Sequence, residues 1–121
     1  MKNKLKLILW GKHLELPEDY DKLKFNNYKL IDTNDNKRYE LIIYKNNKMI
    51  KRIWYWENGN KWYEYNLKNE KLNGKQYEWY ENGELYNEWN YKNGEKDGKQ
   101  YWYNNGELYY EKNYKNGVKI E

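Results

Sequence analysis

The chain has 121 residues, with 23 Lys and Arg against 19 Asp and Glu, one His, no Cys and a formal net charge of +4. That length is one domain, the missing Cys excludes a disulfide framework and a thiolate metal site, and 35% charged residues leave little aliphatic surface to offset chain entropy. Seven Trp, sixteen Tyr and one Phe nevertheless favour a folded chain over a disordered one, because each ring can bury roughly 150–250 Å².

The opening, Met1 to Gly11, is basic with a short apolar stretch interrupted at Lys6. It falls short of the roughly seven to fifteen apolar residues of a signal peptide, and no run approaches the roughly 20 that span a bilayer. A soluble, unprocessed, intracellular chain is expected, and the lack of Cys fits a reducing compartment. Leu5–Trp10 and Leu14–Leu16 flank Gly11-Lys12-His13 and predict a hairpin; Pro17–Leu23 opens with Pro and acids, as short helices do. Residues 1–31 do not follow the pattern of the rest and read as an atypical cap on a repeat array.

Residues 32–121 read as about four repeats of 23–24 residues: a degenerate copy at 34–47, then 52–73, 74–97 and 98–121. Gly74-Lys75-Gln76-Tyr77 returns as Gly98-Lys99-Gln100-Tyr101, followed in each case by Asn-Gly-Glu-Leu-Tyr (82–86, 105–109) and Asn-Tyr-Lys-Asn-Gly (90–94, 113–117), with one residue dropped before the later turn. Asn36, Gly59, Gly83 and Gly106 mark one position at spacings of 23, 24 and 23. Asn58-Gly59, Asn82-Gly83 and Asn105-Gly106 between aromatic runs are strong hairpin signals, since a type I′ turn needs φ > 0 at both central residues. Gly94, Gly98 and Gly117 mark the return turns. The expected fold is all-β: an antiparallel β-hairpin repeat array, an elongated meander or single-layer sheet, with the N-terminal cap.

A two-residue loop at Asn82-Gly83 sets Tyr80 opposite Leu85, Trp79 opposite Tyr86 and Tyr77 opposite Glu88. Alternation then puts Tyr80, Leu85, Trp89 and Tyr91 on one side, and Tyr77, Trp79, Tyr86, Glu88 and Asn90 on the other. Across repeats the first side carries columns Trp56/Tyr80/Tyr103, Lys61/Leu85/Leu108 and Leu67/Tyr91/Tyr114. The second carries Tyr55/Trp79/Trp102, Trp62/Tyr86/Tyr109, Glu64/Glu88/Glu111 and Asn66/Asn90/Asn113. Tyr55, Trp62, Trp79, Tyr86, Trp102 and Tyr109 are thus the candidate binding strip, because Tyr and Trp are favoured in interfaces; the competing reading is that these rings only hold the sheet together.

The string Tyr80-Glu81-Asn82-Gly83-Glu84-Leu85, with Glu88 and Asn90-Tyr91-Lys92-Asn93-Gly94-Glu95-Lys96-Asp97-Gly98, resembles the MORN-repeat variant family. The copy at 103–117 matches as well; the resemblance covers about 52–121 well and 34–47 weakly. It implies an elongated sheet of hairpins used for contacts with proteins or membranes. Some bacterial relatives are labelled antitoxin components, and such repeats occur in large DNA viruses, which would place the chain in a host cytoplasm. The chain departs from the family at Trp89 and Lys112, where such repeats often have Gly.

No enzyme is expected and no cofactor. The column Glu64, Glu88 and Glu111 recurs with the repeat, whereas an acid/base pair needs two carboxylates in unlike environments. His13 is the lone His, Thr33 the lone Thr, and Ser is absent, so a metal site or a nucleophile relay lacks parts. A protein partner is favoured, because Tyr with mixed charge suits a protein interface. Glycan binding is the alternative, since Trp-Tyr-Gly repeats are similar to cell-wall-binding modules; a partner-neutralising, antitoxin-like role is a second one. Nucleic acid ranks third, because Lys/Arg are interleaved with acids and the Glu column repels phosphate. Membrane-surface contact would rest on residues 1–60, where 13 Lys/Arg face 8 Asp/Glu.

Overall fold

The computed structural model describes residues 39–120 in full, together with the backbone of Lys6–Leu9, Lys12–Glu15 and Asn27–Asp32. The helix expected at Pro17–Leu23 and the turn at Asn34–Asn36 lie outside the described residues. Strands β1 (Lys6–Leu9) and β2 (Lys12–Glu15) form the expected N-terminal hairpin. The main sheet follows: β3 (Asn27–Asp32), β4 (Tyr39–Lys45), β5 (Lys48–Tyr55), β6 (Lys61–Lys68), β7 (Lys71–Leu72), β8 (Gly74–Trp79), β9 (Leu85–Lys92), β10 (Glu95–Lys96), β11 (Gly98–Asn104), β12 (Glu107–Lys115) and β13 (Val118–Lys119). Its path, β3-β4-β5-β6-β8-β9-β11-β12-β13, is antiparallel throughout and does not close on itself; the short β7 and β10 fold back on β6 and β9. An open antiparallel hairpin array is what the Asn-Gly punctuation demands. β3 pairs with β4 from Asn27↔Tyr44 to Asp32↔Tyr39, so the segment read as a cap contributes a strand to this sheet.

Two kinds of turn occur. Asn46-Asn47, Asn69-Glu70, Asn93-Gly94, Asn105-Gly106 and Asn116-Gly117 have φ > 0 at both residues, as two-residue type I′ loops require. Asn58-Gly59 and Asn82-Gly83 differ from the expectation. There Gly83 has φ +93° but Asn82 is not left-handed; Gly83 N–H donates to Tyr80 C=O (3.0 Å) and Tyr80 N–H to Glu84 C=O (2.8 Å). This is a three-residue loop, a type I turn closed by a glycine bulge. Asn82 serves by its side chain, its Oδ1 accepting Glu84 N–H at 2.9 Å, and Asn58 does the same for Asn60.

The extra loop residue shifts the register. Tyr77 faces Glu88 as expected, but a bulge then leaves Tyr86 unpaired and sets Trp79 opposite Leu85. Trp62 and Tyr109 are skipped in the same way in the neighbouring hairpins. In the last hairpin the dropped residue comes out of the loop. Counted from Gln100, Trp102 therefore takes the place of Glu78, and Tyr103 that of Trp79.

How one hairpin joins the next is a structural feature that the repeat pattern does not reveal. β4 and β5 are joined by a tight turn and pair along their whole length. In the later repeats the chain leaves the ladder after β7 or β10, steps through Asn73-Gly74 or Asp97-Gly98, and rejoins two residues out of phase. The step strands a peptide edge at Asn66 and Asn90. A glutamine side chain fills each gap: Gln76 Oε1 accepts Asn66 N–H (2.6 Å), while Gln76 Nε2 donates to Asn66 C=O (2.9 Å) and Gly74 C=O (3.2 Å). Gln100 repeats this with Asn90 and Gly98 at 3.1, 2.9 and 3.2 Å. A primary amide carries the donor and acceptor of a peptide group, so each Gln splices the ladder. Both are buried, at 2% and 0% exposure, where an unmet backbone group would be costly. Asn66 and Asn90 complete the joint by donating from Nδ2 to Lys75 C=O and Lys99 C=O, both at 2.6 Å.

The core lies at the start of the array. Leu41, Ile43, Ile53 and Tyr55 are buried on one face of β4 and β5, while Leu108, Tyr109 and Val118 at the far end are 50–65% exposed. Burial thus falls along the array, as in a quasi-one-dimensional stack.

Candidate binding face

The register divides the side chains into two faces of unlike chemistry. Across the strands of one face run Ile53, Glu64, Tyr77, Glu88, Tyr101 and Glu111. Glu64 is buried between Lys51 and Lys61 at 3.2 Å each, Glu88 meets Lys75 at 2.8 Å, and Glu111 stands 4.0 Å from Lys99. The predicted Glu column is therefore a ladder of ion pairs, and every member has a lysine. Beside it lies a hollow of about 440 Å³ lined by Lys51, Lys61, Glu64, Asn66, Tyr77, Trp79 and Leu85, with the Lys61 ammonium 4.6 Å from the centre of the Trp79 ring. Among the described residues, no group of His, Cys, Asp and Glu is placed to hold a metal ion.

The opposite face carries rings. Trp54, Tyr63, Glu78, Asn87, Trp102 and Tyr110 follow one another across its strands. One row over, Tyr65 lies opposite Arg52, Trp89 opposite Gln76 and Lys112 opposite Gln100, so this face covers the amide splices. The rings touch in two groups. Trp54, Tyr63 and Tyr65 have centroids 5.5–6.4 Å apart; Trp89 lies 6.5 Å from both Tyr91 and Trp102, and Trp102 lies 5.4 Å from Tyr110. Cations sit over them: Lys96 is 5.5 Å from Trp89 and 5.0 Å from Tyr114, and Lys112 is 5.4 Å from Tyr110. Trp89, Tyr91, Trp102 and Tyr114 are half-buried and Tyr110 is 45% exposed. The indole Nε1 atoms of Trp54 and Trp89 are buried without a partner.

The six residues of the expected strip do not share a face. Tyr55 is wholly buried. Trp79 stands on the carboxylate face, stacked on Tyr77 at 5.4 Å, whereas Trp102 is on the ring face against Trp89. Released by its bulge, Trp62 contacts Trp56 (4.5 Å) and joins the ring face against Tyr63 (4.8 Å) and Trp54 (6.3 Å); Tyr86 contacts Tyr80 (4.9 Å), and Tyr109, at the third bulge, is 61% exposed. The whole column Lys61/Leu85/Leu108 moves to the carboxylate face, opposite Tyr55, Trp79 and Tyr103, and Tyr103 leaves the column of Trp56 and Tyr80 for the face of Tyr101. The columns Glu64/Glu88/Glu111, Asn66/Asn90/Asn113 and Leu67/Tyr91/Tyr114 keep their expected sides, because they lie beyond the bulges. The signal that would have found the register was in the sequence: Gln76 and Gln100 are the only glutamines, 24 residues apart.

The ring face also shapes titration. Burial, and then a hydrogen bond to Glu78, push the Tyr63 hydroxyl up to about 12 from an ordinary 10.0; burial raises Tyr65 and Tyr91 too. Because Tyr63 ionises later in the folded chain than in the unfolded one, its contribution is intact below pH 10.0 and is lost as pH rises through about 12. Denaturation profiles across that window should steepen for the native chain and flatten for Tyr63→Phe, and phenolate absorbance should show Tyr63 ionising late.

No family model matches the chain, and no curated protein matches it. Among solved structures it is similar to a chain of the "Glycosylation Associate Protein (Gap123) complex from Streptococcus agalactiae", at 18% identity and a TM-score of 0.49, over 97% of this chain and 21% of that one. The chain thus spans about a fifth of the length of that chain, and a likeness at this level says nothing of function.

Proposed function

We propose that this chain is a non-catalytic interaction module that binds a protein partner on its ring face. The observation that carries the reading is the strip Trp89, Tyr91, Trp102, Tyr110 and Tyr114, half-exposed rings on a sheet face that no second layer covers among the described residues. Large rings interspersed with Lys96 and Lys112 suit the buried anchors and polar rim of a protein interface. A stacked sugar needs a bare ring, and here lysines stand over Trp89 and Tyr110, which favours protein over glycan. The non-catalytic part is supported by carboxylates that are already engaged: Glu64 and Glu88 by lysines, and Glu78 by Asn87 Nδ2 at 3.0 Å. We read the hairpins as MORN-like repeats on the strength of the string at 80–98; the 24-residue recurrence of the Asn66/Gln76 joint at Asn90/Gln100 supports their being repeats.

Because Trp79 and Trp102 lie on opposite faces, they form a paired test. With a partner captured from the native cell, Trp102→Ala and Tyr110→Ala should each weaken binding about tenfold or more, in the range of interface hot spots. Trp79→Ala should change it less than about threefold. Equal losses, or a loss confined to Trp79→Ala, would move the binding surface to the carboxylate face.

A further inference from the structure

An Asn followed by Gly is open to attack on its own side chain, because glycine has no Cβ to shield its nitrogen. The chain has six such pairs, and its turns treat them differently. At Asn58-Gly59 and Asn82-Gly83 the Gly N–H is bonded inside the loop, to Trp56 C=O (2.9 Å) and Tyr80 C=O (3.0 Å), and the Asn Oδ1 is engaged as well. At Asn93-Gly94 and Asn116-Gly117 the Gly N–H is bonded to the preceding repeat, at Leu72 C=O and Lys96 C=O, both 2.8 Å. Asn73-Gly74 sits at a joint, with Asn73 half-buried and its Oδ1 accepting Asn93 N–H at 3.2 Å. Asn105-Gly106 differs from all of these. Both residues are exposed, and neither Gly106 N–H nor the Asn105 side chain has a hydrogen bond among the described residues. Nothing lies within 4 Å of the place a Gly106 Cβ would take. In the other four loops the acceptors belong to the same turn or to the preceding repeat, so the turn, and not its place in the array, sets Asn105-Gly106 apart.

The geometry points to Asn105 as a self-modification site, at which the chain's own backbone converts the side-chain amide into a carboxylate. Attack needs Gly106 N beside Asn105 Cγ, and the two come together when that nitrogen eclipses Cβ, at ψ of about −120°, the value a type II′ turn has at its first central residue. Asn105 already has φ 51°, and types I′ and II′ share a positive φ there. One flip of the Asn105-Gly106 peptide therefore reaches the reactive form without leaving the hairpin loop. The same flip at Gly94 or Gly117 breaks the bond to the preceding repeat, and the loss of one hydrogen bond makes the flipped form about five- to tenfold rarer. In the reaction Gly106 N gives its proton to a solvent base and bonds to Asn105 Cγ. The Cγ–Nδ2 bond breaks, and the nitrogen leaves as ammonia with a proton from water. A second water opens the cyclic imide, at Cγ to give aspartate or at the main-chain carbonyl to give isoaspartate; nothing is oxidised or reduced. Either product lowers the formal net charge of +4 by one, and isoaspartate adds a carbon to the backbone between the paired Asn104 and Glu107. That loop joins the strands of Trp102 and Tyr110, but the reaction is independent of what those rings bind.

The test holds the full folded chain in mildly alkaline buffer, samples it over time, and maps each digest by mass spectrometry. Asn105 should lose its amide about fivefold or more faster than Asn93 and Asn116, the factor set by the one hydrogen bond. Asn58, Asn73 and Asn82 should also trail it. In urea the rates at Asn105, Asn93 and Asn116 should converge to within about twofold, since each is then an Asn before Gly in an unfolded chain. A folded-state rate at Asn105 no higher than at Asn93 or Asn116 would overturn the inference. So would a lead that persists undiminished in urea, which would assign it to neighbouring residues and not to the turn.

Discussion

Gln100→Leu should lower stability by about 3 kcal/mol, and Gln76→Leu by a similar amount, because each leaves buried backbone groups without partners. Leu conserves most of the volume, so the loss is not a cavity effect. What disappears is the acceptor for Asn90 N–H at 3.1 Å and the donor to the carbonyls of Asn90 and Gly98 at 2.9 and 3.2 Å, at a site with 0% exposure. Asn90 C=O keeps its bond from Asp97 N–H, so the orphan that matters is the Asn90 N–H. Glu88→Gln is the contrast. It removes the exposed ion pair to Lys75, whose side chain is 55% accessible, and should cost no more than about 1 kcal/mol. Urea unfolding followed by Trp fluorescence measures both, and a smaller loss for the Gln variants than for Glu88→Gln would dismiss the splice.

The second large effect concerns where along the array the stability resides. Ile53→Ala should cost about 3–4 kcal/mol, as truncation of a packed aliphatic core residue does. Leu108→Ala, on the same face in the last hairpin but 50% exposed, should cost less than about 1 kcal/mol. Ile53 shares its face with Ile43 and Tyr55, all at 0% exposure, whereas Leu108 looks toward solvent at the last hairpin. Equal costs would mean that the hairpins are equally packed, against the fall in burial seen from β4 to β12.

Asn-Gly spacing made the antiparallel hairpin array legible without a structure, and alternation placed the Glu and Asn columns on their common face. Which rings share a face was not legible, and the reason is one residue of loop length. An Asn-Gly pair reads as a two-residue type I′ loop, and at Asn105-Gly106 it is one; at Asn82-Gly83 the preceding Glu81 joins the loop and Asn82 acts through its side chain. The local signal is nearly the same for both, yet the choice moves Leu85 across the sheet and frees Tyr86 into a bulge. Matching Trp79 to Trp102 by sequence then fails, because strand positions count from the glutamine and not from the turn. The glutamines were legible only as repeated letters. Their role depends on the two-residue step at Asn73-Gly74 and Asp97-Gly98, a backbone event that periodicity does not encode. Burial of the array's first half depends on packing around β4 and β5, where aliphatic Leu41, Ile43 and Ile53 stand in place of the later polar and aromatic residues.

Sheet continuity across the repeats is what sets the rings of Trp89, Trp102 and Tyr110 side by side, and it depends on side-chain amides standing in for peptide groups. Amide exchange of the whole chain, resolved by residue, probes this directly. Asn66 and Asn90 N–H should exchange as slowly as the backbone-bonded amides beside them, although neither has a backbone acceptor, while Asn113 N–H should exchange at the rate of an open edge. If Asn66 and Asn90 exchange as fast as Asn113, the hairpins are not spliced and the continuous ring face does not exist.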